Sequence, residues 1–113
     1  MEIGKAITEY LIEVEIRGYT KKTRDGYRRN LRMFERFCGE IGASDISDLS
    51  MATIKGFAAR LLPGHKGTYI NGALKVIKSF GEWLKEEGIG DIIGGRKFPW
   101  CKEQKPTTSS REA

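Results

Sequence analysis

The chain has 113 residues, with 20 Lys+Arg against 15 Asp+Glu, a formal net charge of +5, and an isoelectric point near 9.3. That length fits one domain able to bury a core without metal or disulfide staples. No apolar run approaches the ~20 residues of a membrane helix, and the start, MEIGKAITEY, lacks the charged-then-apolar order of a secretory signal.

Strand signals are weak and helical periodicity is strong in four places, which predicts an all-α, four-helix domain. The first segment covers roughly residues 5–17, where Ile7, Leu11 and Val14 form a stripe with Ile3 and Tyr10 nearby, and Gly18 stops it. In the second, Thr20 stands at an N-cap position. Tyr27, Leu31, Phe34, Cys38 and Ile41 then recur at helical spacing, Phe37 widens that face, and the pattern ends at Gly39 and Gly42. The third begins after Ser50, with Leu49 and Ile54 placed for a hydrophobic staple. Its stripe is Ile54, Phe57, Ala58 and Leu61, and Pro63-Gly64 ends it. The fourth covers about 67–88, with Ile70, Ala73, Leu74, Ile77, Phe80, Gly81 and Leu84 on one face and Gly88 at its end. Gly72 and Gly81 lower its helix propensity; they either leave room for close helix–helix contact or are simply tolerated. Beyond Gly88 the periodicity stops. The expected organisation is a helical domain over 1–90 and a basic linker over 91–113.

Charge alternates in blocks. Residues 17–36 hold eight basic and two acidic side chains, and 55–78 hold five basic and none acidic; residues 1–16, 37–54 and 79–95 are each net −3. At about 100° per residue, Lys21, Lys22, Arg28, Arg29, Arg32 and Arg36 of the second segment fall opposite its apolar stripe, with Arg24 on the flank. A single exposed lysine is ordinary solvated surface. Seven cations crowded onto one helix repel one another at i,i+4, and such a face suits a polyanion. In the fourth segment, Thr68, Asn71, Lys75 and Lys78 share a polar face near the helix start, where the dipole favours anions. Glu82 and Glu86 take over that face further along.

Nothing assembles a catalytic site: there is no G-x-S-x-G, H-E-x-x-H or Walker A sequence. His65 is the single histidine, in a loop after Pro63-Gly64. Cys38 and Cys101 are expected to be free thiols in a reducing, cytoplasmic setting, and two Cys with one His are too few for a zinc site. No metal or cofactor is expected. Trp100 beside Phe98 is expected to pack on the bundle or on a partner, or to belong to the linker.

The stretch TKKTRDGYRRNLRMFERFCGEIG resembles the N-terminal core-binding domain of tyrosine recombinases and phage-type integrases. The likeness rests on Thr20, Thr23, Tyr27, Arg28, Arg29, Leu31 and Phe34. INGALKVIKSFGEWLKEEGIG is similar to the last long helix of that domain, with Phe80, Trp83 and Leu84 closing it. The basic stretch with Pro99 and Pro106, then TTSSREA, is similar to the family's bridge into its catalytic domain.

The resemblance implies a four- to five-helix SAM-like bundle that binds double-stranded DNA during DNA integration and recombination. It implies major-groove and phosphate contacts from the second and fourth helices, and an acidic first helix turned from DNA toward other recombinase subunits. The implied contacts are Lys21, Lys22, Thr23, Arg24, Arg28, Arg29, Arg32, Lys66, Thr68, Asn71, Lys75 and Lys78, with Asn71 able to pair bidentately with adenine. The family's nucleophilic tyrosine lies in a separate catalytic domain, so none of Tyr10, Tyr19, Tyr27 and Tyr69 takes that role. The chain by itself is expected not to cut DNA, to be monomeric, to avoid membranes, and to associate with the nucleoid. Two other readings stay open from the residues alone: a helical protein-interaction module, and a freestanding helix-turn-helix regulator built on the third and fourth segments.

Overall fold

The computed structural model describes residues 1–95 and 97–100. Its helices are α1 (Ile3–Ile16), α2 (Lys21–Glu40), α3 (Met51–Leu61) and α4 (Gly67–Glu86), with short 3-10 turns at Ile46–Asp48 and Leu62–Gly64. The all-α class follows directly; among the described residues the sole β feature is an isolated bridge between Glu2 and Asp45. No helix of the described chain is long and apolar enough to cross a membrane.

Local chemistry sets each boundary. Thr20 caps α2 by accepting the Thr23 N–H at 3.3 Å, which satisfies one of the orphan donors of the first turn. At the start of α3, Thr53 Oγ1 accepts from the Ser50 N–H at 3.2 Å. Gly18, Gly42 and Gly88 follow the ends of α1, α2 and α4 with φ of 80°, 82° and 72°, a left-handed conformation that β-carbon sterics deny most residues. Asp45 caps the turn at Ile46–Asp48 by accepting from the Ser47 N–H. That bond, the N-terminal ammonium and the Ser47 hydroxyl lower the Asp45 carboxyl to about 2.

The helix α4 is the keel of the bundle, in contact with α1, α2 and α3. All seven residues of its expected stripe are buried, and Val76 and Trp83 are buried as well. Tyr10 of α1 lies 5.5 Å from the Phe80 ring and 5.3 Å from Trp83. Phe34 of α2 meets Phe57 of α3 edge-on at 5.2 Å, the geometry favoured by ring quadrupoles. Burial pushes the Cys38 thiol up to about 12, so it is a buried, free, protonated side chain. Cys101 lies outside the described residues.

Two packing expectations are corrected. Ile41 does not complete the α2 stripe: it is 52% exposed, because the helix ends at Glu40 and Gly42 turns the chain away. Asn30, by contrast, is buried. Of the two α4 glycines, Gly72 faces open space and is simply tolerated, whereas Gly81 admits the 92–93 loop rather than another helix. A Cβ there would stand 3.0 Å from Ile93 Cδ1. Ile92 is accordingly buried in the core, past the point where periodicity stops.

Candidate nucleic-acid interface

The basic residues of α2 separate into two groups by what they touch. On the flank nearest α1, Arg24 Nη1 donates to Glu15 at 3.1 Å. Its Nε is sealed from solvent with no partner among the described residues. Arg32 donates to Glu35 at 2.9 Å and to the Thr8 hydroxyl at 3.0 Å. These two guanidinium groups therefore tie α2 to α1. Arg28 is exposed and pairs with Asp25 at 3.3 Å. Thr23 is committed to the cap: its N–H donates to Thr20, and its hydroxyl accepts from Thr20 at 3.0 Å.

The second group is Lys21, Lys22, Arg29 and Arg36, all exposed and without an ion pair among the described residues. Lys22, Arg29 and Arg36 are seven residues apart, so they form one line along the outer face with steps of about 10 Å. Lys21, Lys22 and Arg29 surround a shallow hollow floored by Gly26, with Asp25 as its single acid. Arg36 belongs to the same line although it was not among the expected contacts. Its spacing from Arg29 was the available signal.

The start of α4 meets α2 at Tyr69. The Tyr69 hydroxyl reaches Met33 Sδ of α2 at 3.9 Å. Arg29 and Arg36 stand one turn to either side of Met33, and Lys66 stands one turn before Tyr69. His65 stacks on the Tyr69 ring at 4.1 Å and 13°, so the loop histidine is part of the same surface. Lys66, Thr68 and Lys75 are exposed, and Asn71 and Lys78 are half-buried. Lys78 stands one turn past Lys75, and its ammonium lies over the Trp100 ring.

The arrangement offers cations and hydrogen-bond donors along two adjoining helices. Burial raises the Tyr10 phenol above its ordinary range, as expected for a core tyrosine, and Tyr10 lies away from the basic face. Among the described residues no cluster of His, Cys, Asp and Glu is placed to hold a metal.

The family model of the phage integrase N-terminal SAM-like domain matches residues 7–88. The chain belongs to this family. The match runs from within α1 to just past the end of α4, so the helical bundle is the SAM-like domain itself. Phage integrases are tyrosine recombinases, and this domain is their N-terminal part. No curated protein and no solved structure matches the chain.

Proposed function

We propose that this SAM-like domain binds double-stranded DNA at the core site of a recombination reaction, through phosphate contacts from the outer face of α2 and the start of α4. The observation that carries the reading is the Tyr69–Met33 contact, which sets Lys66 beside the line of Lys22, Arg29 and Arg36. Neighbouring cations without acidic partners raise one another's electrostatic energy, and a polyanion relieves it. Lys21, Lys75 and Thr68 extend the phosphate surface. Asn71 is the base-reading candidate, because a carboxamide can donate and accept together at adenine. Arg24 and Arg32 act differently in this reading: held by Glu15, Glu35 and Thr8, they position α2 on α1. The 91–113 segment is the linker toward a catalytic domain, and strand cleavage belongs to that domain.

A second surface suits other recombinase subunits. Ile12 and Ile16 of α1 are 51% and 76% exposed, one turn apart on the side away from the core, beside Glu9 and Glu13.

Binding to a labelled duplex, followed by anisotropy across a salt series, tests the DNA reading. About five phosphate contacts give a log–log slope of about −4 to −5. A flat salt response, or no binding at low salt, rules the reading out.

A further inference from the structure

After α4 the chain folds back over the α3–α4 side of the bundle. Phe98 is half-buried against the core, and its ring lies 5.0 Å from that of Trp100. The Trp100 N–H donates to the Phe98 carbonyl at 2.9 Å, which closes a tight local bend. Pro99 and Trp100 form one wall of an apolar groove whose other wall is Ala58, Ala59, Leu62 and Ile70. Trp100 remains 47% exposed. Its ring carries the Lys78 ammonium at 5.9 Å from the centroid, within reach of a cation–π attraction.

We propose that Phe98–Trp100 is a strap seated on the α3–α4 groove, and that it competes with duplex DNA for Lys78. The proposal rests on the DNA reading above. Lys78 stands one turn past Lys75 on α4, at the edge of the proposed phosphate surface, and its single ammonium has two alternative partners. A half-exposed indole face holds a cation weakly. A phosphate oxygen forms a charge-assisted hydrogen bond, which is stronger. DNA therefore draws Lys78 off the ring and removes one of the contacts that seat the strap. The coupling is reciprocal, so releasing the strap raises DNA affinity by the same factor that DNA lowers strap docking. The groove's partner is thus the chain's own linker, and the linker's position reports whether the DNA face is occupied.

The test uses the full chain, labelled with ¹⁵N, and the Trp100 indole cross-peak assigned by Trp100→Phe. Duplex affinity is measured for the wild type, Trp100→Ala, Lys78→Met and the double variant. Trp100→Ala is expected to tighten duplex binding about two- to fivefold, the range of an exposed cation–π contact, and to give no gain in the Lys78→Met background. In the absence of DNA, Lys78→Met is expected to shift the Trp100 cross-peak. An equal gain in both backgrounds, or no gain in either, overturns the competition. A Trp100 cross-peak unmoved by Lys78→Met overturns the strap contact itself. Failure of the wild type to bind duplex sinks the DNA reading separately, since the DNA-free cross-peak still decides whether Lys78 holds the strap.

Discussion

The helices α2 and α4 are each 20 residues long, yet they answer to different demands. The helix α4 buries nine residues, whereas α2, which also meets the three other helices, buries four, one of them Asn30, and keeps Lys21, Lys22, Arg29 and Arg36 exposed and without an ion pair among the described residues. An element enclosed on several sides has its residue types dictated by volume. An element packed along one stripe leaves its outer face free for charge that folding does not need. That division predicts where stability and binding part company.

The sharpest break should come from α4. Phe80→Ala removes a fully buried ring next to Tyr10 and Trp83, and it should destabilise the bundle by about 3–5 kcal/mol, read by denaturant unfolding. The matching change on α2 is Lys22→Gln/Arg29→Gln/Arg36→Gln. It should leave the unfolding midpoint within ~0.5 kcal/mol of wild type, while the salt slope of duplex binding flattens by about 2.7. Large stability loss in the triple variant would erase the distinction between the helices. Gly81→Leu pushes into Ile92 and Ile93 and should cost about 1–3 kcal/mol through overpacking, whereas Gly72→Ala, in open space, should be stabilising by up to ~1 kcal/mol.

Smaller effects sharpen the split within α2. Glu15→Gln/Glu35→Gln removes the acids that hold Arg24 and Arg32. Stability should fall by no more than ~1 kcal/mol per exposed pair, and duplex affinity should rise, since two guanidinium groups lose their competing carboxylates. The smallest effect concerns pH. The Asp45 carboxyl sits at about 2 in the folded chain against ~3.9 when unfolded. Its contribution is present above pH ~4 and is lost as pH falls toward 2. Asp45→Asn should therefore narrow the difference in stability between pH 5 and pH 2.

Much of the fold was legible in local pattern. Thr20, Gly18 and Gly88 act through their immediate neighbours, so spacing along the chain was enough to place them. The stripe of α4 was equally readable, but one stripe describes burial from one side. Val76 and Trp83 are buried beyond the edge of that stripe, Trp83 against Tyr10 of α1, and a single period does not reveal them. Ile92 escaped because its partner Gly81 lies on a helix while Ile92 sits in an aperiodic turn. The basic face was legible as a count of charges. Its division was not, because the Thr8–Arg32 and Glu15–Arg24 contacts join residues far apart in sequence. The stacking of His65 on Tyr69 was similarly invisible to composition, although the two are one helical turn apart.

The most direct measurement is amide chemical-shift mapping of the full chain with a core-site-length duplex at low salt. DNA binding by the basic face predicts that the largest shifts run along Lys22, Arg29 and Arg36 and through residues 65–75, while Ile12 and Ile16 of α1 stay fixed. Shifts confined to the outer face of α1, with none on the α2 line, would contradict it.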